Sequence, residues 1–382
     1  MRRTLFTQDH ADFRALVREF LEREVVPRYE DWRNAGLVPR DLFTDLGKLG
    51  IIGTAIPEEY GGGGQDDYRY NVVIQEECAR AVVTLGGLRT HLDVVVPYFT
   101  GLANAEQRAR WLPGLASGDL YAAIAMSEPG TGSDLAGIVT TAVRDGDSYL
   151  VNGAKTFITG GYHADLVIVV ARTDPHPENR RDGLSLLVVE KGMPGFTVGR
   201  KLDKLGLTVQ DTVELSFVDV RVPAANRLGA DGAAFTCLGR NLAQERLAIA
   251  VGAVAQARAA IDLTVSYVRD RMVFGKPVAH FQNTKFELAA MATELDAGQA
   301  LLDAAITAHV AGELSAVDAA KTKLFGTEMQ GRVVDRCLQL HGGYGYILEY
   351  PIARLYADAR VSRIYGGTSE VMKTIISKSM GL

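Results

Sequence analysis

The sequence changes character twice along its length, and these two changes limit what the chain can fold into. From about residue 119 to about residue 223 it breaks into short β-type runs separated by turn signals, with no helical pattern between them. The segments on either side have helical periodicity. Because βαβ units need helices between their strands, the pattern favours an antiparallel barrel or sandwich between two helical parts. At 382 residues the chain is also too long for one ordinary core.

We therefore predict an α+β fold of three domains. These are a helical domain at 1–118, a middle antiparallel β domain at 119–225 and a C-terminal helical bundle domain at 226–382. The first helical pattern is interrupted at Pro27. Asn104 is expected to cap a helix that begins at Ala105. The alanine- and glycine-rich sequence after Pro223 is typical of tightly packed helices in a four-helix bundle.

Composition and charge exclude several classes of protein. Hydrophobic residues make up 47% and charged residues 23%, as in ordinary globular proteins. The formal net charge is -5 and no basic stripe is present, so we expect no nucleic-acid partner. Cys78, Cys237 and Cys337 lack metal-binding spacing, which predicts no metal site and a reducing, cytoplasmic environment. No apolar run suggests a transmembrane segment or a signal peptide.

One carboxylate lies where an apolar residue is expected. Ala234 to Arg269 reads as a single helix, and Glu245 falls on the same face as Leu242 and Ile249. A buried glutamate is costly unless it is paired or needed, and desolvation would raise its pKa toward that of a general base. Pairing with Arg246, or a position on a solvated face, explains the helix alone equally well.

Two segments of the β region suggest contact with a ligand. Ala125–Asp134, AMSEPGTGSD, is a glycine-rich turn whose free backbone amides suit a planar ring or a phosphate, although an ordinary surface turn is the simpler explanation. Asn152–Gly161, NGAKTFITGG, reads as a hairpin that presents Phe157 and Thr159. These two residue types favour strands in any protein, so the segment alone is not specific.

Three segments of the C-terminal region carry similar signals. Arg269–Gln282 ends the long helix with a cationic cluster, which is favourable by itself and would also suit a diphosphate. Gln339–Gly345 ends a helix, and Gly342 and Gly343 are expected to be left-handed caps. Arg363–Lys373 places a tyrosine and two glycines before a helix, for which ordinary capping is a sufficient structural explanation.

Together these segments resemble the acyl-CoA dehydrogenase family over essentially the whole chain. The matching segments, in order, are AMSEPGTGSD, NGAKTFITGG, RMVFGK, QLHGGYG and IYGGTSE. The flanking sequences LAQERLAIA, DTVELSF and IYGGTSEVMK are similar to the long-chain branch of the family.

The resemblance implies FAD bound between the β domain and the bundle, with a neighbouring subunit completing the site in a homotetramer arranged as a dimer of dimers. The implied FAD-binding residues are Met126, Ser127, Gly132, Ser133, Phe157, Ile158, Thr159, Arg271, Phe274, Gln282, Gln339, Gly342, Gly343, Thr368 and Glu370. The implied substrate-binding residues are Ser133, Leu242, Arg246, Tyr365, Gly366 and Gly367.

One departure from the common family pattern decides the catalytic base. Much of the family carries a glutamate where this chain has Gly366. The long-chain and isovaleryl-CoA branches supply the base from a Glu-Arg pair on the helix that opens the C-terminal domain, here Glu245 and Arg246. The resemblance therefore implies that Glu245 is the base, and that the backbone N–H of Gly366 donates to the thioester oxygen.

The implied reaction is α,β-desaturation of a long-chain acyl-CoA to trans-2-enoyl-CoA, with hydride transfer to flavin N5 and electrons passed to electron-transferring flavoprotein. Two other activities remain open on the same fold. One is a dehydrogenase for acyl groups tethered to a carrier protein, and the other is a flavin monooxygenase, against which Glu245 counts. The intact flavin motifs argue against a non-catalytic scaffold.

Overall fold

The computed structural model describes residues 3–175 and 177–382. Its N-terminal part is helical. The helices are α1 Gln8–Phe20, α2 Tyr29–Ala35, α3 Asp41–Lys48, α4 Arg69–Arg80, α5 Leu88–Thr90, α6 Val96–Leu102 and α7 Ala105–Ser117. The chain stays helical around Pro27, but as a π-helical turn and a 3-10 turn rather than as α-helix, since proline lacks an amide and crowds the preceding turn. Asn104 caps α7 as predicted and accepts a hydrogen bond from the Gln107 amide at 2.9 Å.

The middle part is one sheet. Its strands are β1 Ala122–Ala125, β2 Thr141–Asp145, β3 Ser148–Thr159, β4 Leu166–Arg172, β5 Leu184–Glu190, β6 Phe196–Lys201, β7 Thr212–Pro223 and β8 Arg227–Leu228. They lie in the order β6-β7-β3-β2-β4-β5-β8, with β1 beside β4. The pairing is antiparallel apart from β1 with β4 and one β2–β4 register, which are parallel. The α+β prediction is confirmed, but periodicity carries no strand direction and could not predict the parallel pairs.

The predicted hairpin at Asn152–Gly161 is wrong. The chain runs straight through Asn152 and Gly153 as part of β3, with register shifts against β7 on both sides of Lys155. The Asn152 side chain bridges to β7, since its Oδ1 accepts from the Asp219 amide at 2.8 Å and its Nδ2 donates to the Asp219 carboxylate at 3.0 Å. At Gly153 a Cβ would lie 2.5 Å from the Thr140 hydroxyl oxygen. The glycine therefore permits close packing and forms no turn.

The C-terminal part is helical again apart from a small hairpin. Its elements are α8 Ala234–Asp270, β9 Met272–Val273, β10 Lys276–Pro277, α9 Gln282–Val310, α10 Ala316–His341, α11 Pro351–Ala359 and α12 Ser369–Ser379. Helix α8 lies in the core because one of its faces carries Leu247, Val251 and Val254, which pack with Met329 and Val333 of α10. The three predicted domain limits stay predictions.

Helix α8 is long and apolar enough, by length and composition, to cross a membrane. The sequence prediction that no segment has these properties is wrong for this helix. In the structure 67% of its most apolar window is buried inside the protein, so α8 packs as a core helix.

The contact between α3 and α7 gives a test of packing. A Cβ added to Gly47 of α3 would lie 1.9 Å from the backbone carbonyl oxygen of Ser117, whereas one added to Gly101 of α6 meets no described atom within 4 Å. We expect Gly47→Ala to destabilise the protein by about 2 kcal/mol through overpacking, and Gly101→Ala to be neutral or slightly stabilising. Thermal unfolding followed by circular dichroism measures both, and equal Tm values would contradict this packing.

Candidate active site

Glu245 is buried near the middle of the molecule. Its side chain projects from α8, the residue is 5% exposed, and the Tyr98 hydroxyl on α6 donates to Glu245 Oε1 at 3.3 Å. No ion pair joins Glu245 to Arg246 within the described part of the chain, and Arg246 is itself buried with its Nε unpaired. The solvated-face and ion-pair explanations of this glutamate are therefore wrong.

Burial sets the acidity of this carboxyl group. Desolvation raises the pKa of Glu245 to about 7, although the Tyr98 hydrogen bond and the positive charges of Arg246 and Arg89 act to lower it. A carboxyl group with this pKa exchanges its proton near neutral pH, as a general base requires.

A cavity begins one turn beyond Glu245 along α8. It encloses about 840 Å³ of empty space between α4, α5, α8 and the segment around Tyr365. On the α8 side, Ala248, Gly252 and Ala253 leave room because their side chains are small or absent. The opposite wall includes Arg89, whose guanidinium lies 5.2 Å from the centre of the Tyr365 ring.

The loop around Gly366 meets α8 at the mouth of this cavity. Gly366 has φ +62°, and a Cβ at this position would lie 2.3 Å from Cδ1 of Ile249, which is one turn from Glu245. The packing thus brings Glu245 and the backbone of Gly366 to the same end of the cavity. It also explains why residue 366 carries no side chain in this chain.

Lys323 of α10 is a part of this site that the sequence reasoning missed. It is 1% exposed, and its Nζ donates to the backbone carbonyl of Tyr365 at 2.8 Å and to that of Gly367. The available signal was a lysine on a helix face of small residues, four after Ala319 and three before Gly326. Its partners are more than forty residues away, so the pattern alone could not identify them.

The predicted flavin residues of the β domain lie on one exposed end of the sheet. Lys155 on β3 pairs with Glu128 at 2.9 Å, and its Nζ also donates to the Met126 carbonyl at 3.0 Å. Burial of Lys155 lowers its pKa to about 8 against the opposing effect of Glu128. This buried pair, which the sequence reasoning also missed, ties the glycine-rich turn to the strand. Gly132 and Ser133 lie at the exposed tip of that turn.

Phe157 points away from the sheet at the same end. It is 69% exposed and has φ +60°, which is uncommon for a residue with a Cβ. The register shift between Lys155 and Ile158 produces this orientation. Ile158 is buried beneath it, and Thr159 ends the strand.

A second cleft lies at the far end of α8. Four of the predicted FAD residues line it, namely Arg271, Gln339, Gly342 and Gly343. Only Gly342 has a positive φ among these two glycines, and its ψ of -137° is not that of a left-handed helix. The predicted pair of left-handed caps is therefore wrong, since the chain continues from Gly342 as a 3-10 turn. None of the β-domain residues lines this cleft.

The remaining predicted residues are distributed around these two regions. Phe274 is 96% exposed at the tip of the β9–β10 hairpin, where both it and Gly275 have positive φ, as a two-residue turn needs. Gln282 is exposed at the start of α9. Thr368 caps α12 by accepting from the Val371 amide at 3.3 Å, and Glu370 is exposed one residue into that helix. Leu242 is half-buried one turn before Glu245.

Within residues 3–175 and 177–382, no group of three or more His, Cys, Asp or Glu side chains is arranged to hold a metal ion.

Comparison with known families matches three models along the chain. They describe the acyl-CoA dehydrogenase N-terminal domain over residues 7–119, its middle domain over residues 123–220 and its C-terminal domain over residues 235–381.

Individual relatives agree over the whole length. The chain is 43% identical to a long-chain specific acyl-CoA dehydrogenase, mitochondrial, of Sus scrofa, over 99% of this chain and 88% of that protein. A crystal structure of acyl-CoA dehydrogenase from Geobacillus kaustophilus has 48% identity, complete coverage of both chains and a TM-score of 0.98. A glutaryl-CoA dehydrogenase of Mycobacterium smegmatis in complex with FADH2 has 31% identity, coverage of 98% and 95%, and a TM-score of 0.89.

The three-domain fold and these matches define a flavin-dependent oxidoreductase. The chain belongs to the acyl-CoA dehydrogenase family, and its cofactor is FAD. The residues present fit this cofactor on two grounds. Phe157 is a strongly exposed aromatic ring beside a glycine-rich turn that a buried ion pair holds in place, and the cleft at Arg271 combines a cation with glycine backbone.

The hydrogen bond from Tyr98 gives a test of the acidity of Glu245. Because this bond lowers the pKa of the carboxyl group, Tyr98→Phe should raise that pKa further. An ionised carboxylate is the active form of a base, so the rise of kcat/KM with pH should move to higher pH, by about one unit for a bond worth roughly 1.4 kcal/mol. The control is Tyr121→Phe, which alters a buried tyrosine that lies against Phe43 and His91. An unchanged pH profile in Tyr98→Phe would contradict the assigned contact.

The buried ion pair gives a test of the flavin-facing turn. Lys155→Met leaves Glu128 buried without its cation, which typically destabilises a site by about 3–5 kcal/mol. We expect the purified variant to retain a smaller fraction of FAD, measured as the ratio of flavin to protein absorbance. Lys191→Met, at an exposed turn of the same domain, is the matched control and should keep its full flavin content. Equal flavin content in both variants would exclude this role for the pair.

Proposed function

We propose that this protein desaturates a long-chain acyl-CoA thioester between its α and β carbons, giving the trans-2-enoyl-CoA, with Glu245 as the base. The observation that carries the proposal is a buried carboxyl group with a pKa of about 7, one turn of α8 from the mouth of an enclosed cavity. A thioester whose acyl chain lies in this cavity would present its first carbons to Glu245.

The proton transfer needs both a base and a stabilised enolate. A proton α to a thioester is weakly acidic, so a carboxylate removes it efficiently only if the negative charge that develops on the carbonyl oxygen is stabilised. Glu245, about half ionised near pH 7, takes the α proton. The backbone N–H of Gly366 donates to the thioester oxygen, and the absence of a side chain at residue 366 leaves this amide accessible.

FAD, when bound, accepts the hydride that leaves the β carbon, which is chemistry that no side chain of the protein supplies. We assign the flavin ring to the β-domain end, where Met126, Ser127, Gly132 and Ser133 form the turn and Phe157, Ile158 and Thr159 form the strand. We assign the diphosphate and adenosine part to a second group. Its members are Arg271, Phe274, Gln282, Gln339, Gly342 and Gly343, with Thr368 and Glu370 closing the site.

A site divided between two distant clefts is best completed by a second copy of the chain. Phe274 is 96% exposed and Tyr346 is 88% exposed beside the cleft at Arg271, and exposed aromatic groups of this kind mark protein interfaces. We therefore propose the homotetramer that the family resemblance implies. Electron-transferring flavoprotein is the proposed electron acceptor. The three free cysteines support a cytoplasmic location.

The long-chain assignment has two supports. One is the 43% identity to a relative named for long-chain substrates. The other is the α8 wall of the cavity, where Ala248, Gly252 and Ala253 leave space for an extended chain. Ser133, Leu242, Arg246, Tyr365 and Gly367 are the proposed further contacts of the thioester and the acyl chain.

Replacing the base tests the proposal directly. Glu245→Gln keeps the size of the side chain but removes its basicity. We expect anaerobic bleaching of the bound flavin by the best acyl-CoA substrate to slow by at least about 100-fold. Stopped-flow absorbance measures this rate for a panel of acyl-CoA chain lengths. The control is Glu313→Gln, which alters an exposed carboxylate after α9.

The panel has three informative results. Bleaching of the wild type by one chain class, and its loss in Glu245→Gln, supports both the base and the substrate class. Equal bleaching in the two proteins excludes Glu245 as the base. No bleaching of the wild type by any free CoA thioester would contradict the proposed substrate, and carrier-bound thioesters and oxygen consumption would then be measured.

A further inference from the structure

Lys323 is a buried cation without an anionic partner. It is 1% exposed, and no carboxylate forms an ion pair with it in the described part of the chain. The nearest charged influence is Arg246, which together with burial lowers the pKa of Lys323 to about 8. Burial of an ammonium group is costly unless it forms hydrogen bonds. Here the acceptors are two backbone carbonyls, those of Tyr365 and Gly367.

These two carbonyls flank Gly366. The carbonyl of Tyr365 belongs to the same peptide unit as the N–H of Gly366. That unit is planar and trans, since the described residues contain no cis peptide bond, so its N–H points opposite to its carbonyl. A group that fixes the carbonyl oxygen on the α10 side therefore fixes the direction of the N–H on the other side, where Gly366 packs against Ile249 of α8.

The loop has little else to hold it in this orientation. Gly366 and Gly367 both have positive φ, at 62° and 96°, and glycine adopts many other conformations at little cost. Lys323 closes both carbonyls onto α10, and α10 is a regular helix packed against α8. The lysine thus connects a rigid element to a loop that would otherwise be free to rotate its peptides.

The positive charge has a second effect on the same peptide. Hydrogen bonds in series polarise one another, so an ammonium group that donates to the carbonyl makes the N–H of that peptide a stronger donor. This matters most when the acceptor gains negative charge during the reaction, as a thioester oxygen does on enolisation.

We propose that Lys323 is a positioning residue for this reaction: through the Tyr365 carbonyl it orients and polarises the Gly366 N–H toward the thioester oxygen. The inference rests on the proposed function, in which that N–H stabilises the enolate. Lys323 itself touches neither the substrate nor the cofactor in this scheme.

The test separates carbonyl recognition from general packing. Two ligands of one chain length are titrated into the FAD-loaded protein: a trans-2-enoyl-CoA thioester, and an S-alkyl-CoA thioether that lacks the carbonyl. The wild type should bind the thioester more tightly. Lys323→Met should lose about tenfold in affinity for the thioester and little for the thioether, and its kcat should fall more than its KM rises.

The chain offers a close control. Lys321 lies two residues earlier on α10, and its side chain is 51% exposed beside Asp318, so Lys321→Met should leave both affinities unchanged. Lys323→Gln is a second variant of the buried position. It keeps a neutral donor and should show a smaller loss than Lys323→Met. Retained flavin absorbance verifies that each variant is folded.

Two results would overturn the proposal. If Lys323→Met weakens both ligands equally, or neither, the lysine has only a structural role. If the wild type does not distinguish thioester from thioether, no donor addresses the carbonyl. The failure of Glu245 as the base is read separately, because Glu245→Gln removes the base and leaves the carbonyl preference of the oxidised enzyme in place.

Discussion

The desolvation of one carboxyl group governs the organisation of this protein. Glu245 lies on a helix whose other inward residues are apolar, and the single described hydrogen bond to its carboxylate comes from Tyr98 of the N-terminal domain. A fully paired carboxylate would be a poor base, and a solvated one would have an ordinary pKa. The site therefore requires that the N-terminal helices cover α8 closely enough to exclude water while supplying only one neutral donor.

Two buried lysines support the surrounding loops by the same physical means. Lys155 on β3 secures the glycine-rich turn through Glu128 and the Met126 carbonyl, and Lys323 on α10 secures the Gly366 loop through two carbonyls. In both places irregular backbone lies beside the reaction centre, where it must be free of bulky side chains. A long side chain from a regular element can hold such backbone from behind.

Much of the fold could be predicted because its signals are local. The extent of α8, the Asn104 cap and the strand-rich middle part all follow from patterns within a few residues. The hairpin prediction at Asn152 failed because its side chain is bound to Asp219, 67 positions away. In the candidate site, the position of Glu245 on an apolar face could be predicted. The partner hydroxyl of Tyr98 is 147 positions away, and no local pattern indicates it.

The close packing of Gly366 on Ile249 has a consequence for how the base can move between elements of this fold. A glutamate introduced at residue 366 would meet the Ile249 side chain and a backbone with φ +62°, so a single substitution cannot return the base to that loop. A smaller residue at 249 would have to come first or together with it. The two locations of the base are thus separated by a coupled change, and a lineage that has one location tends to keep it.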